Sequence, residues 1–450
     1  MPVFSPEFLA RTASGTWTRE PSCALTAFGI DTRTLRAGDI FVALKTPARD
    51  GHDFLPAALT AGASAALVSR PNPAVALPQL VVADPLAAFQ AIAAAHRRAF
   101  TGTVVGVSGS AGKTSTKELL ALLLSGTPGE VLATVGNLNN HLGVPLTLTR
   151  LDPSLHRFAV IEAGIGGPGE MRVLADMIAP DHAIITLVGP AHLEALGSLD
   201  GVAREKALLP AAVHAGGLKI FPSACLDYAA FRNLPAPVLA LAPEITHTAD
   251  ATRIRVRLAS STVHTFSCRR LSDGMAANAS LALALALQLG VTPADAQSRL
   301  SSWQPAALRG ELRRDAQGRW LYVDCYNANP ASMHDALAAF AGMAPADQPR
   351  LYLIGGMEEL GADSAAYHHR FGTALASALR PADSALVLAA APAAAALVAG
   401  AAHPAVAAAT DLATLRARLE AHTGSVFIKG SRRYQLESLL APVGATIAAH

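Results

Sequence analysis

Charged and aromatic residues are scarce in this sequence of 450 residues. Charged residues make up 16% and aromatic residues 5%, and the formal net charge at pH 7 is only +2. No run of Lys and Arg residues occurs, so the charge pattern gives no indication of a nucleic-acid partner. Nucleic-acid binding is therefore not expected, and any functional site has to come from local motifs.

Cysteines are also few, and their spacing is not that of a metal site. They are Cys23, Cys225, Cys268 and Cys325, and no C-x-x-C motif occurs. This usage predicts no zinc site and fits a reducing compartment. The N-terminal stretch MPVFSPEFLARTAS carries a charge and a proline where a signal peptide needs an apolar core. We therefore expect a cytoplasmic protein.

A long apolar helix without interruptions is missing as well. Residues 384–409 contain no formal charge and are long enough to span a bilayer on length alone. Alanine, which is only weakly apolar, dominates this stretch, and Pro392 and Pro404 break any single helix. We predict a strand, a turn, a helix, a turn and a strand here, without stable membrane insertion.

Hydrophobic residues, by contrast, are abundant at 51%, and a chain of this length should form two to four domains. Three α/β domains are predicted: a small N-terminal one over 1–99, a central one over 100–308 and a C-terminal one over 309–450. Strand and helix patterns alternate in the central domain, which indicates a mainly parallel sheet covered on both faces. A hairpin is predicted at 252–258 and 262–268. The C-terminal domain is predicted to be Rossmann-like, but no G-x-G-x-x-G follows its first strand, so a nicotinamide cofactor is not expected.

The clearest chemistry lies in residues 103–118, TVVGVSGSAGKTSTKE. An apolar, β-branched run leads into a loop of small residues, and Lys113 and Thr114 then begin a helical pattern. Backbone N–H groups of such a loop converge on a phosphate, and the helix dipole adds partial positive charge. Lys113 would reach the β- and γ-phosphates, and the Thr114 hydroxyl would bind Mg²⁺. The general pattern G-x-x-x-x-G-K-[ST] requires a glycine where this chain has Val107.

Three further polar residues follow predicted strands of the same domain. Glu162 ends the apolar strand FAVIE, His192 follows AIITLVG, and Lys206 lies in GVAREKALL. Ligands of open parallel sheets gather at the carboxyl ends of the strands, so these side chains could meet Lys113 at one metal–phosphate centre. Taken singly, His192 could equally be a loop histidine and Lys206 a solvated helix residue.

Motifs over nearly the whole chain resemble the Mur ligase family. The loop SGSAGKTST is similar to the shorter ATP loop of these ligases and of folylpolyglutamate synthases, [ST]-G-[ST]-x-G-K-T. The other matching motifs are DTRTLRAGDIFVALK, GNLNNHLGVPLTL, AVIEAG, AHLEALGSLDGVAREK, VDCYNANPASM, GGMEELG and IKGSR. GNLNN-x-x-GVPLTL and YNANPASM most resemble the branch of the family that adds D-alanyl-D-alanine.

The resemblance implies an ATP-dependent carboxylate–amine ligase of peptidoglycan precursor synthesis. Such an enzyme joins D-alanyl-D-alanine to the terminal carboxylate of UDP-N-acetylmuramoyl-tripeptide through an acyl phosphate. The implied cofactors are ATP and two Mg²⁺ ions, with a carbamate on Lys206, and the implied state is a monomer. The third peptide residue stays open between diaminopimelate and lysine. A sister ligase adding a single amino acid, a folate glutamate ligase and a catalytically inactive nucleotide-binding homologue remain as alternatives.

The resemblance also implies roles for individual residues. The catalytic residues would be Lys113, Glu162, His192 and Lys206. The Mg²⁺ ligands would be Thr114, Glu162, His192 and Lys206 as its carbamate. ATP would be bound by Gly109, Ser110, Ala111, Gly112, Lys113, Thr114, Ser115, Asn278, Arg309 and Asp324. The peptide and UDP substrates would be bound by Asp31, Thr32, Arg33, Asn139, Asn140, Tyr326, Asn327 and Asn329.

Several positions depart from the family pattern. Met275 stands where an asparagine is usual, and Gly274 stands in place of a common histidine. Cys325 replaces a common serine, and Gly356 replaces the aspartate of a GDM motif. None of these changes removes a residue of the implied ATP–metal centre, but they leave the details of adenine and substrate recognition open.

Overall fold

The N-terminal part of the chain forms a five-stranded sheet. The computed structural model describes residues 2–258 and 262–440. Strand order is β1-β5-β4-β3-β2, with only the β1–β5 pair antiparallel. The strands are β1 (Thr16–Trp17), β2 (Ala27–Gly29), β3 (Asp39–Val42), β4 (Ala65–Val68) and β5 (Gln79–Val81), and the helices are α1 (Pro6–Thr12), α2 (Leu55–Thr60) and α3 (Pro85–Ala99).

The central part is a six-stranded parallel sheet with helices on both faces, as the alternating sequence pattern predicts. Its strand order is β11-β10-β9-β6-β8-β7. The strands are β6 (Thr103–Ser108), β7 (Val131–Ala133), β8 (Phe158–Glu162), β9 (His182–Ile185), β10 (Lys219–Pro222) and β11 (Val238–Leu241). The helices are α4 (Lys113–Leu124), α5 (Gly143–Leu148), α6 (Glu170–Ile178), α7 (Leu193–Leu196), α8 (Leu199–Ala211) and α9 (Ala229–Arg232).

The strand order of this sheet reverses at β6. From β6 the chain goes to the edge strand β7 and returns to β8 beside β6; it then crosses to β9 on the other side of β6 and continues outward through β10 and β11. A crevice opens at the carboxyl ends of the strands where the order reverses, and open α/β sheets bind their ligands there. The loop at 109–112 follows β6 directly, so the topology places it at this crevice.

A small antiparallel sheet and two helices complete the central part. The strands are β12 (Glu244–His247), β13 (Ala251–Arg257) and β14 (Val263–Arg269), and the helices are α10 (Asp273–Gln288) and α11 (Pro293–Ser302). The predicted hairpin is confirmed as β13 and β14, which pair with each other. Helix α10 is buried along most of its length because it packs against both β13 and α4. The third strand, β12, was not predicted; its short sequence EITH lies on the exposed edge.

The C-terminal part is a second six-stranded sheet, in the order β15-β16-β20-β17-β18-β19. Only the β15–β16 pair is antiparallel. The strands are β15 (Glu311–Arg314), β16 (Trp320–Asp324), β17 (Arg350–Gly355), β18 (Ser384–Leu388), β19 (Val406–Ala408) and β20 (Ser425–Lys429), and the helices are α12 (Pro330–Met343), α13 (Ser364–Ala378), α14 (Ala391–Ala401) and α15 (Leu412–Glu420).

The uncharged stretch at 384–409 folds as the sequence predicts. It contains β18, then α14, then β19, all within the C-terminal sheet and its helical cover. Over residues 2–258 and 262–440, no helix combines the length and the apolar character needed to cross a membrane.

Candidate functional site

The loop between β6 and α4 forms a tight cradle that requires glycine at two positions. Gly109 has φ 147° and Gly112 has φ 78°, both in the region that favours glycine. A Cβ atom at Gly109 would lie 1.8 Å from Oγ1 of Thr186, and one at Gly112 would lie 2.0 Å from Nδ2 of Asn278. The side chains of Thr186 and Asn278 therefore pack directly against the loop, and only glycine at these two positions leaves room for them.

Ser110 fixes the loop in place. Its backbone N–H donates to the carbonyl of Leu187 at 2.9 Å, and its hydroxyl donates to the carbonyl of Gly189 at 2.8 Å. The amide of Asn329 in the C-terminal part donates to the Ser110 carbonyl at 2.9 Å. The loop is thus held by two different parts of the chain before any ligand binds.

Two lysines converge beneath the loop. The ammonium of Lys113 donates to the carbonyl of Gly109 at 2.9 Å, and that of Lys206 donates to the same carbonyl at 3.1 Å. Burial lowers the pKa of Lys113 and lowers the pKa of Lys206 well below its usual value. The charge of Lys113 lowers the pKa of Lys206 further, because two neighbouring cations disfavour each other. Lys206 is therefore not a solvated helix residue; it is 1% exposed.

Glu162 offers an unused ligand atom at the end of β8. Its Oε1 accepts a hydrogen bond from Nδ2 of Asn139 at 2.7 Å. Its Oε2 is buried and has no hydrogen-bond partner among the residues that the structure describes. A buried carboxylate oxygen without a partner is costly unless a ligand or cation satisfies it. Within the described ranges, no three His, Cys, Asp or Glu side chains cluster as a metal site, so other ligand types must complete any coordination here.

A cavity of about 440 Å³ opens above the loop, between the central and C-terminal parts. The C-terminal part contributes the Arg309 guanidinium, which stacks 3.9 Å over the Tyr326 ring, and the ion pair of Lys429 with Asp324 at 2.9 Å. The predicted site residues that line this cavity are Ser110, Ala111, Gly112, Lys113, Thr114, Ser115, Asn139, Glu162, Asn278, Arg309, Asp324, Tyr326, Asn327 and Asn329. The structure thus brings together residues that the sequence separates by more than 200 positions.

Gly109 and Lys206 lie just beneath this cavity rather than in its lining, and Asn140 lies outside it. The side chain of Asn140 accepts from the backbone N–H groups of Leu142 and Gly143 at the start of α5. Its predicted substrate contact stays a prediction, since the amide oxygen is used locally.

His192 lies at a contact between the two parts. Its Nδ1 pairs with the carboxylate of Glu359, which belongs to the C-terminal part. Burial lowers the pKa of His192; Glu359 opposes this, and the nearby charges of Lys206 and Lys113 add to it. His192 is therefore close to both lysines, although it is not among the residues that line the cavity. Its predicted role as a metal ligand is not tested by these contacts.

The cluster of Asp31, Thr32 and Arg33 lies apart from the cavity, in a short 3-10 turn that follows β2 of the N-terminal sheet. The Asp31 carboxylate accepts from the guanidinium of Arg33 at 2.6 Å, and this hydrogen bond lowers the pKa of Asp31 to about 2. Arg33 is exposed, with a side chain that is 86% accessible. The pair is pre-formed and open to solvent, so it is available to a ligand.

Several residues at the site had no predicted role. Lys429 ends a buried strand and lines the cavity. A lysine at the end of an apolar run, as in the motif IKGSR, could have indicated a functional residue. Glu359 and Asp335, in contrast, become relevant only through contacts with the central part, at His192 and Gly274. No local sequence pattern marks such contacts.

Comparison with known families gives three matches along the chain. The Mur ligase middle domain matches residues 107–286, and the Mur ligase glutamate ligase domain matches residues 308–432. The Mur ligase family catalytic domain matches residues 25–97. Together these matches reach from the N-terminal sheet to the last strand of the C-terminal sheet.

Individual relatives agree with these matches. The chain is 36% identical to UDP-N-acetylmuramoyl-tripeptide–D-alanyl-D-alanine ligase of Escherichia coli strain K12 over 366 residues, or 79% of each chain. It is 31% identical to the enzyme of the same name from Bacillus subtilis strain 168, over 77% of this chain and 76% of that one. A crystal structure of MurF from Acinetobacter baumannii superposes with a TM-score of 0.86, 28% identity and 98% coverage of both chains. MurF ligase from Thermotoga maritima in complex with ADP superposes with a TM-score of 0.78 and 25% identity, over 92% of this chain and 96% of that one.

Proposed function

The chain belongs to the Mur ligase family, and from its site we infer that it joins D-alanyl-D-alanine to UDP-N-acetylmuramoyl-tripeptide at the expense of ATP. The reaction would serve peptidoglycan precursor synthesis, and the relatives that the chain matches are named for this reaction. The observation that carries the inference is the cavity above the phosphate loop, which is closed on one side by the C-terminal part. A ligase needs such an enclosure because water would hydrolyse an acyl phosphate.

The first chemical step brings two anions together. The terminal carboxylate of the UDP-linked peptide attacks the γ-phosphorus of ATP, forming an acyl phosphate and releasing ADP. Lys113 from the loop and Arg309 from the C-terminal part face the same cavity and would offset the repulsion between carboxylate and triphosphate. Catalysis of such a transfer rests on positioning and charge neutralisation, which are the two properties this cavity offers.

The residues at the loop also fit Mg²⁺. Oxygen atoms are the ligands that this ion prefers, and the unpartnered Oε2 of Glu162 and the hydroxyl of Thr114 both belong to cavity-lining residues. Glu162 and Thr114 would hold Mg²⁺ there, and the ion would supply positive charge that offsets the charge developing on the phosphates. His192, with its lowered pKa, would offer a neutral imidazole to a second ion.

Lys206 fits a carbamate better than a free ammonium. Carbamylation requires a neutral amine, and burial together with the charge of Lys113 favours that form by lowering the pKa. The adduct replaces a positive charge with an anionic pair of oxygens beside Lys113. Removing the repulsion between two buried cations that share the Gly109 carbonyl would stabilise the site.

The second step needs the dipeptide amine close to the acyl phosphate. The amine attacks the carbonyl carbon, a tetrahedral intermediate forms, and phosphate leaves as the peptide bond is made. Tyr326 and Asn327 lie on the C-terminal wall of the cavity, where they would face this dipeptide. The amide of Asn329 already binds the Ser110 carbonyl, so we assign it to joining the C-terminal wall to the loop.

We also propose the division of labour among domains. The N-terminal domain, 1–99, would bind the UDP part; the central domain, 100–308, would bind ATP; and the C-terminal domain, 309–450, would bind the dipeptide and close over ATP. The three large sheets lie within these ranges. A monomer in the cytoplasm would suffice, because all the proposed groups come from one chain.

A coupled phosphate-release assay tests the function. We expect release that requires ATP, D-alanyl-D-alanine and UDP-N-acetylmuramoyl-tripeptide together, with the diaminopimelate and lysine forms of the tripeptide assayed separately. A single amino acid replacing the dipeptide as the better acceptor would indicate a sister ligase. No release with any combination would indicate an inactive homologue.

The N-terminal domain can be tested through Asp31 and Arg33. Alanine at either position should raise the KM for the UDP-linked peptide by about tenfold, because a charge-assisted contact is lost, and leave the KM for ATP within about twofold. Steady-state kinetics with each substrate varied in turn measures this difference. Arg19→Ala, another exposed arginine of the same domain, is the matched control and should change neither KM. Equal effects on both KM values would mean that the pair has only a structural role.

A further inference from the structure

The N-terminal turns of two helices, α10 and α12, extend from the phosphate loop along the wall of the cavity. Asn278 of α10 lies beside Gly112 of the loop. Gly274 precedes Asn278 by about one turn of the same helix, which places it about 6 Å from Asn278 along the helix axis. Asn329, which caps α12, donates a hydrogen bond to the loop. Asp335 lies on α12 about 9 Å from Asn329 along the axis of this helix. Gly274 and Asp335, which bind each other, therefore lie one to two helical turns from the residues that contact the loop. A base could reach this region of the cavity when the phosphates occupy the loop.

Gly274 and Asp335 are fitted to each other. The backbone N–H of Gly274 donates to Oδ1 of Asp335 at 2.8 Å. A Cβ atom at position 274 would lie 2.7 Å from Oδ2 of Asp335, so any other residue there would displace the carboxyl group. Both residues line the cavity. The glycine thus makes space for an acidic side chain at the base end of the site.

The surroundings of Asp335 suit a hydrogen bond to a base. Met275 lines the same end and offers no amide or other strong hydrogen-bonding group, so a polar base edge needs its partner elsewhere. Burial raises the pKa of Asp335; Asp324 and Asp273 raise it further, whereas the Gly274 N–H and the Ser272 hydroxyl oppose this. A carboxyl oxygen can accept a hydrogen bond from the amino group of adenine whether or not the group is ionised.

We propose that Asp335 selects the nucleotide by accepting a hydrogen bond from the exocyclic amino group of the adenine base, in the space that Gly274 leaves open. This inference rests on the proposed use of ATP at the loop. It makes Asp335 a specificity-determining residue of the nucleotide site, contributed by the C-terminal domain. Adenine binding and domain closure are then linked, because the base contacts α10 and α12 together.

Nucleotide binding without turnover tests the assignment. Isothermal titration calorimetry with Mg²⁺ compares ATP with purine riboside 5′-triphosphate, which differs from ATP only in lacking the 6-amino group. The wild-type protein should bind ATP about tenfold more tightly, the range expected for one buried hydrogen bond to this group. Asp335→Ala should bind both nucleotides with affinities within about twofold, whereas Asp335→Asn keeps an acceptor and should keep the preference.

Gly274→Ala gives a second variant that retains the carboxyl group. The added Cβ should displace Asp335 and reduce the preference for ATP, while the helical position tolerates alanine. Asp273→Asn is the control for charge, since Asp273 is exposed, pairs with His247, does not line the cavity and acts on Asp335 through its charge. The variant leaves the carboxyl acceptor of Asp335 in place, so the preference should persist. Equal affinities in the wild-type protein, or an undiminished preference in Asp335→Ala, would overturn the assignment while leaving ATP binding intact. Failure of the wild-type protein to bind ATP at all would contradict the proposed function as well.

Discussion

Replacing Lys113 by alanine should reduce ligation by about 10²- to 10³-fold, since this is the usual cost of removing one preorganised group that stabilises developing charge. Lys113 carries its charge at the first residue of α4 and lines the cavity. Its ammonium now donates to the Gly109 carbonyl, within the loop that would hold the phosphates. The transfer has little covalent chemistry for the protein to perform, so a lost positive charge at the γ-phosphate is not replaced by another group.

The fold of the Lys113→Ala protein should be unchanged. Burial lowers the pKa of Lys113, which means that the folded state carries a cost for keeping this lysine charged, and alanine removes that cost. Thermal unfolding followed by circular dichroism should therefore show no loss of stability, while kcat falls. Lys113→Arg keeps the positive charge on a planar guanidinium group instead of an ammonium group and should recover part of the rate. Wild-type turnover in a folded Lys113→Ala protein would refute the phosphate-loop assignment.

Local chemistry made the loop predictable from sequence. An apolar strand, small residues and Lys113 at a helix start are consecutive, so their joint geometry follows from the backbone alone. Glu162 was predictable for a similar reason, because it ends a buried strand and parallel strands share one carboxyl edge. The periodicity of the chain likewise predicted the central parallel sheet and the hairpin of β13 and β14.

Contacts between distant segments were not predictable in this way. Asp335 faces Gly274 and Glu359 faces His192 only because the C-terminal domain docks on the central one. The strands β12 and β15 were missed because each is short, polar and at a sheet edge, where no buried face imposes a pattern. Lys206 was proposed from its place after the strand ends, and its carbamate was implied by the family resemblance, whereas its burial depends on the packing of α8 under the loop.

Lys206→Ala should lose nearly all activity and regain part of it with acetate or formate. The wild-type ammonium shares the Gly109 carbonyl with Lys113, and two buried cations so close repel by an amount on the order of a few kcal/mol. A carbamate removes this repulsion and supplies the oxygen ligands that Mg²⁺ prefers. A small carboxylate entering the space left by alanine offers the same two oxygens, and this is why rescue is specific to the carbamate role.

Lys219→Ala is the control that distinguishes the carbamate role of Lys206 from the general effect of removing a buried lysine. Lys219 is also 1% exposed and donates to a carbonyl, that of Gly217 at 3.2 Å, and burial also lowers its pKa. Lys219 begins β10, however, whereas the loop follows the carboxyl end of β6, so Lys219 lies at the opposite, amino end of the parallel strands. We expect Lys219→Ala to keep most of its kcat, with no effect of acetate or formate on it. If Lys206→Ala stays active, or if both variants respond alike to carboxylates, Lys206 does not act as a carbamate, because only a lysine at the phosphate loop can exchange its adduct for a free carboxylate.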